Sequence, residues 1–148
     1  MEKGKKIEAR IIIELLGAPK THIEETMKAV VEKFSVEKGI KVLKKKIFDC
    51  KQLENGLWST FAEMEFETQE IQKLSDLCFD YMPSSIEILD PAGMDMDMGM
   101  FSDILNDLIA RMHRYDMLAK NFNAENTLLK EKLEKMRREN LELMKKLQ

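Results

Sequence analysis

The sequence predicts an α+β domain of β-α-β-β-α-β order, followed by a long C-terminal helix with coiled-coil spacing. Three observations predict it. Apolar residues recur at every second position in a set of short segments, and at every third or fourth position in two segments between them. The Pro91-Ala92-Gly93 break then closes this region of mixed periods. From Phe101 onward a single period takes over, in steps of four and three, with neither Pro nor Gly to interrupt it.

The elements follow in order. Ile7, Ala9, Ile11, Ile13 and Leu15 alternate with Glu8, Arg10, Ile12 and Glu14, the period of a strand with one buried face. Gly17-Ala18-Pro19 ends it. Thr21-His22-Ile23-Glu24 has the spacing of a capping box, which places a helix start at Thr21. Ile23, Met27, Val30, Val31 and Phe34 continue at helical spacing, and Gly39 supplies the stop. A second strand is read from Ile40 to Cys50 and a third from Leu57 to Glu67. Asn55-Gly56 between them is the dipeptide favoured in a type I′ hairpin turn. Thr68 is expected to open a second amphipathic helix through Ile71, Leu74, Leu77, Cys78 and Tyr81, which Pro83 stops. Ser85 to Leu89 forms the last short strand.

This order is the split β-α-β arrangement of a ferredoxin-like βαββαβ sandwich. Such a sheet holds its first and third strands centrally, and these are the most apolar pair in the chain. The second strand becomes an edge, where Lys44-Lys45-Lys46 would discourage pairing with other chains. The same lysines are expected opposite Glu63, Glu65 and Glu67 across the hairpin. Residues 1–90 are thus assigned to the ferredoxin-like domain, 91–100 to a Met/Asp/Gly linker and 101–148 to the long helix.

The helix carries the strongest pattern. Its stripe comprises Phe101, Leu105, Leu108, Met112, Tyr115, Ala119, Phe122, Asn126, Leu129, Leu133, Met136, Asn140, Leu143 and Leu147. Twelve of these fourteen positions are apolar, where a random chain of this composition would give about six. Sustained 3.5-residue spacing specifies a left-handed coiled coil, here about 70 Å long at ~1.5 Å per residue. With Phe101 at heptad position d, Asn126 and Asn140 both fall at a, where buried Asn pairs fix register and orientation in parallel dimers. Glu125 and Lys130 would attract across a parallel dimer, as would Arg111 and Asp116, whereas Lys132 and Arg137 would repel. Ile104, Ile109 and Leu118 widen the stripe of the proximal half, as packing on the sheet domain or in a four-helix cluster would require.

Composition narrows the function classes. The chain has 148 residues, 44% hydrophobic and 34% charged, so it can build a core and is not expected to be disordered. Lys and Arg number 24 against 27 Asp and Glu, and this near balance sets up no field for nucleic acid or anionic membrane. The basic start, Met1 to Lys6, is followed by no apolar run of signal-peptide length, and Ile11-Ile12-Ile13 is too short to span a bilayer. Cys50 and Cys78 lack zinc-ligand spacing and are expected as buried, reduced thiols of a cytoplasmic protein.

Catalytic chemistry finds little support. His22 and His113 are the only histidines; neither sits in a triad-like pattern, and both are expected at the surface. P-loop, dinucleotide-binding and zinc-protease motifs are missing. Met94, Met96, Met98 and Met100 alternate with Asp95, Asp97 and Gly99, and clustered thioethers can hold Cu(I). With no Cys or His within ten residues on either side, a linker whose methionines fill gaps beside a partner is the better reading. On the strands, Ile12 and Phe61 are expected together on the face away from the helices. RNA binding there is disfavoured by Glu63, Glu65 and Glu67 and by the missing aromatic motif of RNA-reading sheets. A second subunit or the proximal long helix would cover that patch.

Leu15-Leu16-Gly17-Ala18-Pro19 with the following Thr21–Phe34 segment resembles the first strand, turn and helix of ACT-type regulatory domains, over residues 6–90. The resemblance implies paired modules that bind small effectors between subunits. The chain as a whole also resembles small archaeal proteins, which implies no activity. The sequence therefore points to a non-enzymatic oligomerisation and interaction module, a homodimer or homotetramer joined by a parallel coiled coil. The alternatives are a ligand-sensing ACT-like domain, a Met-rich Cu(I) protein and an RNA-binding protein. A protein partner is expected at the Met-rich linker or coiled coil, with no membrane, nucleic acid, cofactor or metal.

Overall fold

The computed structural model describes residues 5–148; the start of the basic N-terminal run, residues 1–4, lies outside them. The elements are β1 (Ile7–Gly17), α1 (Lys20–Ser35), β2 (Ile40–Ile47), β3 (Lys51–Gln52), β4 (Trp58–Thr68), α2 (Ile71–Tyr81), β5 (Ser85–Asp90) and α3 (Met98–Lys146). The strands form one antiparallel sheet in the order β2-β4-β1-β5, with the two-residue β3 also paired to β4. The chain is of the mixed α+β class, with three helices of which the last is by far the longest.

The sheet is organised around β1 and β4, which pair over eleven residues from Ile7 opposite Thr68 to Gly17 opposite Trp58. Side chains alternate across a strand, so the register sends Ile7, Ala9, Ile11 and Ile13 to one face with Ala62, Met64 and Phe66. That face is the core. α1 covers it with Ile23, Met27, Val31 and Phe34, spaced by four, four and three residues as one helix face demands. α2 contributes the fully buried Leu77. Phe34 anchors the centre, edge-on to Phe66 at 5.3 Å between ring centroids and to Tyr81 at 5.1 Å.

A polar bolt joins the helical layer at one end. Lys73 on α2 reaches Glu37, beyond the end of α1, at 2.8 Å, and the Tyr81 hydroxyl donates to the other oxygen of that carboxylate at 2.8 Å. The Lys73 hydrogen bond, and then that from Tyr81, hold the Glu37 carboxyl below its ordinary range. Burial, and then the bond to Glu37, push the Tyr81 phenol upward.

Several local expectations are corrected. Pro19, not Thr21, takes the N-cap position of α1; its extended backbone starts the helix at Lys20 and its carbonyl accepts the Ile23 amide at 3.3 Å. Thr21 therefore lies inside the first turn, and the capping box is not formed. The hairpin turn is not type I′, because Gly56 has φ of +79° while Asn55 keeps negative φ. Instead the Gly56 amide closes a turn onto the Leu53 carbonyl at 3.0 Å, and the Asn55 side chain accepts the Leu57 amide at 3.1 Å. α2 begins three residues after Thr68. That threonine ends β4, where its hydroxyl donates to the Gly39 carbonyl at 2.8 Å and accepts the Glu70 amide at 3.3 Å.

The second strand divides. β2 stops at Ile47, and after a break β3 resumes pairing to β4. Within β2 the register shifts at Leu43, so Lys44 and Lys46 lie opposite Glu65 and Glu63 while Lys41 takes Glu67. Lys45 falls opposite Met64 and so shares the helix-side face. Cys50 and Cys78 are half-buried free thiols rather than fully buried ones, and burial raises the Cys78 pKa. His22 and His113 are exposed.

Backbone contacts divide the chain into two units, the second being Met98–Gln148. α3 takes in Met98, Gly99 and Met100, so the linker is shortened to residues 91–97. Its 49 residues include none that is buried.

Replacing Phe34 by Ala removes a fully buried ring with two aromatic neighbours, and should cost about 3–5 kcal/mol in urea-induced unfolding. Val36→Ala, two residues on but 80% exposed, should change stability by no more than about 0.5 kcal/mol.

Candidate interaction surfaces

Two surfaces stand out, one on each unit. On α3, the positions of the 3.5-residue stripe lie along one side of a continuous helix. All of them are exposed except Leu108, which is half-buried. Phe122 is 65% exposed and Leu129 63%, values at which large apolar side chains contact mainly water. Asn126 and Asn140 interrupt the stripe where expected and are exposed as well. The helix supports itself through pairs on its own flanks: Asp107 with Arg111 at 2.9 Å, Asp116 with Lys120 at 2.6 Å and Glu134 with Arg137 at 3.4 Å. Each such pair contributes only a few tenths of a kcal/mol, about 0.2–0.5. Such pairs favour the helix without burying its apolar side.

Among the alternating methionines, Met98 and Met100 now stand on α3, while Met94 and Met96 stay in the segment before it. The four are therefore divided between the two units. Among the described residues, no three His, Cys, Asp or Glu side chains are grouped so as to hold a metal ion.

The second surface is the sheet face opposite α1 and α2. The register builds a row of alternating charge across it, a feature that reading each strand alone does not reveal. In it Glu87 of β5, Arg10 of β1, Glu65 of β4 and Lys44 of β2 stand side by side. Arg10 reaches Glu65 at 2.7 Å and Glu87 at 3.4 Å, and Lys44 reaches the other Glu65 oxygen at 3.2 Å. Arg10 also lies 3.7 Å from Glu63. In the next row Glu67 lies opposite Glu8 of β1, which faces Asp90 of β5, and Lys6 and Lys41, the latter at 3.6 Å, offset the Glu67 charge.

Glu65 is buried beneath its neighbours although it lies on the face opposite α1 and α2. The Arg10 hydrogen bond, followed by that of Lys44, keeps its carboxyl well below the ordinary glutamate range. Arg10 is held charged in turn, chiefly by the same bond. Glu63, Glu65, Glu67 and Glu87 are thus each approached by a neighbouring cation, while Glu8 and Asp90 extend the Glu67 row with further negative charge. Arg10 was visible in the strand alternation as an outward residue, but its role as hub depends on which strands flank β1.

The apolar part of this face contains Ile12 and Phe61 as expected, both half-buried. Its missing member is Phe48, whose ring stacks on Phe61 at 4.3 Å with Lys46 4.5 Å above it. Phe48 lies in the break between β2 and β3 and is brought there by pairing its amide with the Phe61 carbonyl at 2.9 Å. Its place continues the alternation of Lys44 and Lys46, although β2 itself stops at Ile47. No helix among the described residues is long and apolar enough to cross a membrane.

A family model described as MJ0538 matches residues 8–145. The chain belongs to the MJ0538 family. The match begins at Glu8 in β1 and ends at Lys145 in the last turn of α3, so the long helix is part of the family pattern as fully as the sheet. Neither the curated proteins nor the solved structures contain a match.

The paired carboxylates of the helical layer and of the sheet face yield a pH dependence with a definite sign. Glu37 and Glu65 have folded pKa values depressed below those of the unfolded chain, so their contribution to stability is present above the ordinary carboxylate range. It is lost as pH falls through the depressed values. Arg10→Gln should move the Glu65 midpoint back up in a carboxyl NMR titration and flatten the acid side of the stability curve; an unmoved midpoint would show that Arg10 does not govern it.

Proposed function

We propose that this protein is a non-enzymatic homo-oligomerisation and interaction module, a ferredoxin-like domain joined to a parallel coiled coil formed by α3. One observation carries the reading: a 49-residue helix with a 3.5-residue apolar stripe and no buried residue. A helix of this kind gains little from propensity alone, since packing of an apolar side supplies most helical stability. A second copy offers the matching stripe, and six heptads of knobs-into-holes contact absorb it along its whole length.

The polar interruptions favour parallel, in-register pairing. In that arrangement Asn126 meets Asn126 and Asn140 meets Asn140, whereas a shift of one heptad or a reversal would place each amide against hydrocarbon, and a shift of two heptads would match only one of the two. Glu125 and Lys130 add an attractive flanking pair. The unfavourable Lys132 and Arg137 pair is tempered by Glu134, which already holds Arg137 within its own helix. The ferredoxin-like assignment of the domain rests on its β-α-β-β-α-β order and on the central place of β1 and β4.

Light scattering should give a mass of at least twice 17.3 kDa at micromolar concentration; a concentration-independent monomer would overturn the reading. Asn126→Leu with Asn140→Leu should raise the melting temperature of the oligomer and broaden the distribution of its states. Unchanged melting and unchanged states would place both residues outside the contact.

A further inference from the structure

The two edges of the sheet are treated differently by the sequence. At one edge β2 carries Lys41, Lys44, Lys45 and Lys46 and a register shift at Leu43, features that deter strand addition. At the other edge β5 reads Ser-Ile-Glu-Ile-Leu-Asp, with no lysine or arginine and no proline. Its only register irregularity lies at its end, near Asp90. Ile86 is 38% exposed and Ile88 47%, both on the side of the sheet where the core lies. β5 bonds to β1 along one side only.

We propose that β5 pairs antiparallel with β5 of a second copy of this chain, joining two sheets into one across a two-fold axis. Side-chain chemistry selects the register. Centring the axis on Glu87 would set two carboxylates directly opposite one another, which is unfavourable. Centring it on Ile86 sets Ile86 against Ile86 on the helix side. On the outer side it places the Ser85 hydroxyl of each copy opposite the Glu87 carboxylate of the other, a donor against an acceptor. Arg10, 3.4 Å from Glu87, continues the alternation of charge behind it. Ile88 then lies diagonal to Ile86 of the second copy, so the exposed isoleucines cover one another.

The inference rests on parallel pairing of α3, which supplies the proximity. Parallel helices at ~8–10 Å spacing bring the two Met98 positions together. Seven residues, 91–97, connect each to its β5 and span at most about 25 Å. Each β5 is thus tethered near the other at an effective concentration in the millimolar range. An edge contact too weak to form between free domains forms under that tether. Antiparallel helices would instead separate the two attachment points by about 70 Å.

Cysteine cross-linking in the full chain, with Cys50→Ser and Cys78→Ala as background, tests both contacts separately. In the proposed register the two Ile86 Cα atoms are about 5 Å apart, within the range a disulfide bridges. The two Ile88 Cα atoms are about 14 Å apart, beyond it. Under oxidised glutathione, Ile86→Cys should convert most of the chain to covalent dimer and Ile88→Cys almost none. Leu143→Cys, in the α3 stripe, reports parallel pairing independently. Cross-linking at 143 with none at 86 overturns the edge contact and leaves the α3 reading intact. Cross-linking at 86 without 143 upholds the edge contact and removes the parallel helix pair, and cross-linking at neither overturns both. Equal cross-linking at 86 and 88 overturns the register. If Ile86→Cys does not fold, judged by circular dichroism, a mixture of Ser85→Cys and Glu87→Cys chains tests the same register: covalent heterodimer upholds it, and its absence overturns it.

Discussion

The eleven-residue pairing of β1 with β4 is the constraint from which the domain follows. A strand shows alternate residues to opposite faces, so fixing this register fixes two surfaces together. One surface receives Ile11, Met64 and Phe66 and must be covered by α1 and α2. The other receives Arg10, Glu63, Glu65 and Glu67, which meet opposite charges on neighbouring strands. A slip of β1 by one residue would turn Arg10 under the helices, away from Glu65, and expose Ile11 and Ile13, so the core and the charge pairs enforce the same answer.

The charges also act within the sheet as well as on it. Surface ion pairs contribute little singly, about 0–1 kcal/mol, and less in salt. Their value here lies in discrimination: Lys44 matches Glu65 only when the shift at Leu43 is present, and Lys41 matches Glu67 on the other side of that shift. A register of β2 without the shift would satisfy one lysine at the expense of the other. Specificity of pairing is thus obtained where hydrophobic contact is weakest, at the edge.

How much of this was legible follows the range of the interactions. β1, β4 and α1 are long and strongly periodic, and the core residues Ile11, Met27, Phe34 and Met64 could be placed from spacing alone. Local turn chemistry was less legible. Pro19 displaced the Thr21 cap because a helix begins wherever the chain first enters it, and Asn55-Gly56 formed a different turn because only Gly56 adopts positive φ. The Arg10 hub and the Phe48 and Phe61 stack were not legible, since both join residues from separate strands whose mutual register no single segment specifies. The α3 stripe lies at the opposite extreme, written in one segment and needing no tertiary information to be read.

The same contrast governs what the two units require. The sheet domain completes its core within one chain, with Ala9, Ile11, Phe34, Met64 and Phe66 fully enclosed. α3 encloses nothing, yet its stripe runs from Phe101 to Leu147. Two of the stripe's positions are given to Asn, where Leu would bury more apolar surface. In water alone those asparagines would only weaken the helix slightly through their low propensity, since an exposed amide is satisfied by solvent. They acquire meaning only in a buried contact, where an amide opposite itself is satisfied and an amide opposite leucine is not. Under the proposed pairing, Asn126 and Asn140 therefore exchange some affinity for alignment. That alignment sets the two chains in matching register and, through residues 91–97, brings their β5 edges within reach of each other.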